Sequence, residues 1–316
     1  MSHIYNLTNA HLDQPSIVTI GAFDGVHRGH QHLLAPLVRE AHSSKRLAVV
    51  LTLFPHPDVV LQGLSGRYYL TTPEQKAELL TGLGVDVVVT HTFDDQVRHI
   101  SAAAFVDQLL EHLKMNSLWV TADFAMGYER EGNFEYLTAQ GKAKGFEVRK
   151  IDLLGSSANE DRVTISSSAI RRELQAGRVE QAAEWLGRPY VIEGIVVHGD
   201  HRGRTIGFPT ANLETWPEQV LPANGIYAGW ATLGNERFMA MSSLGYRPTF
   251  EGKDLRVEAY LLDFDRDIYG QRLQLDFCYR LRDELKFSDV DTLVQQIKAD
   301  VEQGRAMLVA SASSQV

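Results

Sequence analysis

The chain has 316 residues, 44% of them hydrophobic and 22% charged, and its 40 acidic against 31 basic side chains give a formal net charge of −9. At roughly 150 residues per domain this length predicts two ordinary soluble domains, with enough apolar material for two cores. The acidic balance argues against a sequence-independent nucleic-acid binder, which needs excess Lys and Arg, but leaves room for a local phosphate site.

The opening MSHIYNLTNAHLDQPS has no basic stretch followed by an apolar one, and nowhere does the chain reach the roughly 18 apolar residues of a membrane span. A cytoplasmic protein without membrane contact is expected. From residue 16 to about 150, short β-branched runs alternate with helical patterns. Strands are expected at 17–20, 47–53, 85–90, 118–121 and 146–151, and helices at 31–41, 73–81, 102–112 and 133–144. Such alternation predicts a doubly wound parallel sheet with helices on both faces, an α/β domain. Residues 166–187 read as two short helices interrupted by Gly177 and ended by Gly187-Arg188-Pro189, which places the domain junction there, between 1–186 and 187–316.

After Tyr190 the runs VIEGIVVHG, GIYAGWATL, RFMAMSSLG, LRVEAYLLDF and RLQLDFCYRL follow one another without helices, as in a small antiparallel β-barrel. The last run holds the one cysteine, Cys278, so neither an intrachain disulfide nor a cysteine zinc cluster is available. Val290, Leu293, Val294, Ile297 and Val301 then predict a C-terminal amphipathic helix over 289–307 packed on the barrel, with a frayed tail at 311–316.

Two stretches carry candidate chemistry. The strand at 17–20 runs into Gly21-Ala22-Phe23-Asp24-Gly25-Val26-His27-Arg28-Gly29-His30, with a helix expected immediately after. Ligands of open parallel sheets bind beyond the carboxyl ends of the strands, and a helix N-terminus offers free N–H groups to phosphate. Gly21, Gly25 and Gly29 allow sharp turns and close approach, while two imidazoles can donate to phosphate oxygens. By residue type alone, His27 and His30 are equally polar loop residues or half of a metal site at i, i+3 spacing. Neither a Walker loop nor a GxGxxG competes for this segment. Downstream lie Phe54-Pro55-His56-Pro57, then Asp123-Phe124 with Gly127, Arg130 and Gly132, then Ile165-Ser166-Ser167-Ser168-Ala169-Ile170-Arg171, whose serines suit either a helix cap or an anion site.

This series resembles the nucleotidyltransferases with an HxGH signature, and among them the bacterial FAD synthetases, whose GxFDGVHxGH is matched at every fixed position of 21–30. The later segments are similar to that family's FxPHP, DFxFGxxRxG and ISSTxIR, with Ser168 in place of Thr, Met126 in place of an aromatic, Thr121-Ala122 in place of Val-Gly, and Leu53-Phe54 departing ahead of the PHP. The resemblance implies that Gly21, Phe23, Asp24, Gly25, Ser166, Ser167, Ser168 and Arg171 bind ATP. It further implies that His27 and His30 hold the phosphates and stabilise charge as the α-phosphorus is attacked, and that Pro55, His56, Pro57, Asp123 and Phe124 contact a flavin.

In the second stretch, His198 to Asn212, glycines and arginines precede Phe208-Pro209-Thr210-Ala211-Asn212. Such a loop can wrap a polyphosphate, and Thr210 and Asn212, two apart on an extended strand, can present oxygens to one Mg²⁺; an ordinary turn and strand entry fits the same residues. Glu258 sits inside a strand where alternation groups it with Tyr260 and Leu262, so it is either a solvated edge charge or a carboxylate facing a cavity. The stretch resembles the riboflavin kinase signature GxxxGRxxGxPTAN. By that resemblance Gly199, Arg204 and Gly207 cover ATP, Thr210 and Asn212 ligate Mg²⁺, and Glu258 is the general base. Ser243 stands where the family has Asn, and Arg282 and Glu284 match the LRxExKF that closes its flavin pocket.

Taken together, the resemblance covers nearly the whole chain and implies a bifunctional riboflavin kinase/FMN adenylyltransferase of the FAD synthetase family, with riboflavin, FMN and ATP as small-molecule substrates and Mg²⁺ as cofactor. Two alternatives stay open at this point: a riboflavin kinase with a weak adenylyltransferase half, and a flavin-binding regulator without turnover.

Overall fold

The computed structural model describes residues 2–151, 165–199, 202–249 and 252–313, with the backbone alone at 202, 205, 246–249, 252–255 and 312–313. It forms two compact units, one of Met1–Ser65 with Thr71–Ser167 and the other of Gly66–Leu70 with Ser168–Val316.

The first unit carries strands β1 (Ser2–Tyr5), β2 (Ser16–Ile20), β3 (Leu47–Phe54), β4 (Val87–Thr92), β5 (Met115–Thr121) and β6 (Glu147–Ile151), with helices α1 (Arg28–Ser43), α2 (Pro57–Gln62), α3 (Pro73–Gly82), α4 (Ala102–Leu113) and α5 (Phe134–Lys144). The sheet order is β1-β4-β3-β2-β5-β6, parallel throughout. Successive residues of a strand face opposite sides, and both sides are covered here. Val18, Ile20, Val49, Leu51, Leu118 and Val120 pack under α4, whereas Ile17, Ala48, Val50, Val88 and Trp119 pack under α1 and α3. This is the predicted doubly wound architecture. Edge strand β1 was not expected, since four residues are too few to show a period.

From β2 the chain builds outward through β3 and β4 on one side, then crosses to β5 and β6 on the other. The order therefore reverses beside β2, and a crevice opens at such a switch point.

The second unit holds α6 (Ser167–Gln175) from its second residue onward, α7 (Val179–Leu186), β7 (Tyr190–Val197), α8 (Arg202–Thr205), β8 (Ala211–Thr215), β9 (Gly225–Leu233), β10 (Glu236–Thr249), β11 (Gly252–Leu261), β12 (Arg272–Arg282) and α9 (Val290–Ser313). Its six strands close into an antiparallel barrel in the order β10-β11-β8-β7-β12-β9, the predicted barrel with β8 added. Helix α9 covers it through Leu308 against Ala228, Met241 and Leu262, and comes so near at Gly304 that a Cβ there would lie 2.5 Å from Met241 Cε. The helix continues through Ser313, so the fraying expected from 311 does not begin there; 314–316 lie outside the described residues.

Residues Gly66–Leu70 are integral to this second unit. The N–H groups of Tyr68 and Tyr69 donate to Glu218 O (2.8 and 3.0 Å), and Val220 N–H donates to Tyr69 O (2.8 Å). Fully buried Gln219 donates from Nε2 to Leu70 O (3.2 Å), and the Tyr69 ring stacks on Trp216.

Candidate active sites

Between β2 and α1 the backbone turns through left-handed conformations at Phe23 (φ 48°), Gly25 (φ 79°) and Val26 (φ 41°). Only glycine adopts these without cost, and non-glycine residues persist there when their surroundings over-determine them. The surroundings do so. Gly25 N–H donates to Thr71 Oγ1 (3.3 Å), Thr71 N–H donates to the buried Asp24 carboxylate (3.3 Å), and Ser167 Oγ donates to Asp24 O (2.8 Å). Below Ala22, the ammonium of Lys76 donates to Ala22 O and to Thr52 Oγ1, and Thr52 Oγ1 donates to Ala22 O, each at 2.9 Å. Lys76 is only 4% exposed. Burial pulls its pKa down to about 8, against the opposing pull of the Asp24 charge.

Helix α1 starts at Arg28, three residues before the expected position, because His27 is its N-cap. His27 Nδ1 accepts the His30 N–H (3.4 Å), which makes Nε2 the proton-bearing nitrogen. The two imidazoles stack at 3.6 Å, and the Phe23 ring lies 5.0 Å from that of His30. His27 is buried and His30 half-buried, with His30 Nδ1 enclosed and lacking a hydrogen-bond partner among the described residues. Burial first, then the neighbouring His27 and Lys76, hold the His30 pKa well below the usual imidazole range, so its ring is neutral at pH 7.

Beside this turn a cavity of about 470 Å³ opens across the carboxyl ends of the central strands, bordered by Ala22, Pro57, Phe93, Arg98, Phe124 and Arg130. Of the flavin candidates, Pro57 and Phe124 line it. Pro55, His56 and Asp123 are not lining residues. His56 caps α2 by accepting Asp58 N–H (3.1 Å), and Asp123 accepts the Thr121 hydroxyl (2.7 Å) while its carbonyl takes Arg130 (2.9 Å). Ser166 is half-buried just ahead of α6. In the second unit, exposed Ser168 lies 3.5 Å from Arg171, whose buried guanidinium donates to Tyr68 O (2.6 Å) and stacks 3.9 Å above the Tyr68 ring.

The second site is built on strand register. Antiparallel pairing sets Asn212 of β8 opposite Glu258 of β11, and Ser243 of β10 lies on the other side of Glu258. Thr210, just before β8, donates its hydroxyl to Glu258 Oε2 (3.2 Å). Thr210 and Asn212 line one cavity of about 240 Å³ with Arg204, Phe264 and Tyr269. Glu258 lines another of about 340 Å³ with Tyr260, Ser243, Arg282 and Glu284, and Thr210 borders both. Tyr260 packs against the cluster of Leu262, Met241 and Leu308, as the alternation predicts, with Leu262 just past the end of β11 and beneath α9. Gly199 lies against Asn212, where a Cβ would come within 2.2 Å of Nδ2, and Gly207 (φ 85°) follows α8. Asp200 and His201 of this loop lie outside the described residues.

Arg282 is cross-braced to α9, with Nε and Nη2 on buried Asp300 (2.9 and 2.7 Å) and Nη1 on Asp283 O (2.9 Å). Glu284 lies so near Gly245 that any Cβ there would collide with its carboxyl, and burial raises its pKa. Lys76 and Asp300, the buried charges beneath the two sites, were not foreseen. The available signal was an ionic residue at a core-facing helical position, four before Leu80 in α3 and three after Ile297 in α9.

Comparison with known proteins places both halves. A model described as FAD synthetase matches residues 9–169, and one described as riboflavin kinase matches 186–308. Proteins named bifunctional riboflavin kinase/FMN adenylyltransferase are similar over nearly the full length. That of Listeria monocytogenes is 37% identical over 95% of this chain and 94% of its own, and that of Haemophilus influenzae 38% over 97% and 99%. A crystal structure from Streptococcus pneumoniae described as a macrolide-efflux protein superposes with a TM-score of 0.85 at 30% identity, covering 96% of this chain and 99% of that one. Among the described residues here, no helix is long and apolar enough to cross a membrane.

Proposed function

The chain belongs to the bifunctional riboflavin kinase/FMN adenylyltransferase family, and from that premise we propose how its two sites divide the work, with residues 187–316 phosphorylating riboflavin to FMN and residues 1–186 adenylylating FMN to FAD. Both halves match their family models, so a one-site kinase and a non-catalytic regulator are not favoured.

The observation that carries the kinase assignment is the contact of Thr210 with Glu258, beside Asn212 in register. Their hydroxyl, carboxamide and carboxylate oxygens form a hard donor set that suits Mg²⁺, and Gly199 leaves the Asn212 amide the space a Cβ would fill. Thr210 and Asn212 would hold the ion, which supplies charge neutralisation to the ATP phosphates. Glu258 accepts the proton of the ribityl hydroxyl as that oxygen attacks the γ-phosphorus, and ADP leaves. Arg204, Gly199 and Gly207 border the triphosphate.

In the first unit, the N-terminus of α1 and the Nε2–H of His27 face the triphosphate of a second ATP. The FMN phosphate, arriving from the cavity lined by Pro57 and Phe124, attacks its α-phosphorus and releases pyrophosphate. A neutral His30 adds a hydrogen-bond donor without a formal charge. The chain holds one cysteine, half-buried, with its thiol pKa pushed up to about 12, and we place the enzyme in the reducing cytoplasm. Purified protein given riboflavin, ATP and Mg²⁺ is expected to yield FAD on chromatography; FMN accumulating without FAD would overturn the adenylyl half of this assignment.

A further inference from the structure

Lys76 has no part in the chemistry above, yet an ammonium is seldom buried unless something holds it there. It lies on α3, 54 positions along the chain from Ala22, and its helix is anchored by a reciprocal Thr72–Gln75 capping box. Two of its N–H groups are spent on Ala22 O and Thr52 Oγ1, and the buried carboxylate facing it belongs to Asp24, two residues after Ala22. The same turn contains Phe23 and Val26 in left-handed backbone, a conformation such residues keep only where their surroundings enforce it.

We propose that Lys76 is the positioning residue of adenylyl transfer: by gripping the Ala22 carbonyl from beneath and facing the Asp24 carboxylate, it fixes the turn that sets His27, His30 and the first N–H groups of α1 at the triphosphate. The inference rests on the assignment of that turn as the nucleotide site, and goes beyond it by naming what holds the turn in shape. The ammonium acts through the turn and does not touch substrate. Its charge also reaches His30 and helps keep that imidazole neutral.

A pH dependence follows. The charges that interact with the ammonium are Asp24 in the turn, His30 at the start of α1, which also faces His27, and His3 on β1, which also faces Glu74 in the first turn of α3. His3 and His30 have lowered pKa values and are already neutral at pH 7, so the ammonium, at about 8, is the group that changes charge on going to mildly alkaline pH.

The test uses the full chain, because FMN formation by the other unit reports on folding in the same tube. With supplied FMN, Lys76→Met is expected to lower kcat/KM for ATP in FAD synthesis by about 10²-fold, the loss typical of a misplaced donor set, and to leave FMN formation within about twofold. Lys76→Arg should recover part of that loss. The wild type should lose FAD synthesis at low ATP as pH rises through about 8, and this alkaline limb should be missing in Lys76→Met and shifted upward in Lys76→Arg. Wild-type ATP dependence in Lys76→Met, an unchanged alkaline limb, or equal loss of both activities would overturn the proposal. His30→Ala separates the two levels. If it leaves FAD synthesis intact, the nucleotide-site assignment itself fails; if it abolishes FAD synthesis while Lys76→Met does not impair it, only the role of Lys76 fails.

Discussion

The two candidate sites bring their polar groups together by opposite means. In the barrel, regular strands do the placing: Asn212, Glu258 and Ser243 stand in a row because β8, β11 and β10 are in register. In the sheet domain, irregular backbone does it, through a turn with three residues at positive φ held by Lys76, Thr52, Thr71 and Ser167 from elsewhere in the chain. A register site depends on its own strands. A strained-turn site depends on whatever is packed behind it.

This contrast predicts separable losses. The largest is expected for Glu258→Gln, which removes the proton acceptor and should lower FMN formation by about 10³-fold while FAD synthesis from supplied FMN is retained; both rates are read by chromatography, and intact FMN formation would remove Glu258 from the base role. Next comes His30→Ala, with FAD synthesis falling about 10²-fold and FMN formation unchanged in the same assay. A smaller effect is expected for Gly199→Ala, whose new Cβ would press within 2.2 Å of Asn212 Nδ2. If Asn212 holds the ion as proposed, displacing it should lower FMN formation about tenfold and raise the Mg²⁺ concentration needed, measured by titrating the ion.

The smallest effect concerns stability alone. Burial holds the pKa values of His3, His30 and His91 below the ordinary imidazole range, so in the folded first unit these rings are neutral where the unfolded chain would protonate them. Their contribution is complete above pH of about 6.5 and is lost as pH falls below it. Hydrogen-exchange protection, corrected for the intrinsic pH dependence of amide exchange, should fall in the first unit between about pH 6.5 and 5 more than in the barrel, where partly desolvated Glu284 has a raised pKa and shifts in the opposite sense. Equal loss of protection in both units would contradict this.

What could be read from the residues divides along the same line. Alternation revealed the strands, the barrel and the face that Glu258 shares with Tyr260, because side-chain direction in a strand is fixed by parity. The glycines and histidines of 21–30 identified the turn, but not how it is held: TTPEQKAELL reads as a surface helix, and nothing local says that Lys76 ends beneath Ala22. The start of α1 was misplaced for a related reason, since a histidine cap has none of the usual Ser, Thr, Asp or Asn signature. Arg282 borders the Glu258 cavity, and its Nε and Nη2 close on Asp300, eighteen residues later on α9, a pairing that no periodicity in β12 announces.

The incorporation of Gly66–Leu70 into the barrel unit bears on how this protein can be taken apart. A kinase fragment begun at residue 187 would be missing a piece of its own wall: the enclosed Gln219 amide would lose the Leu70 carbonyl, Trp216 would lose the ring stacked on it, and the Glu218 carbonyl would lose two donors. Genetic dissection at the apparent junction therefore yields an incomplete half, and whoever seeks the kinase alone must begin at about residue 168, so that α7 is kept, and graft residues 66–70 back or fill the gap they leave.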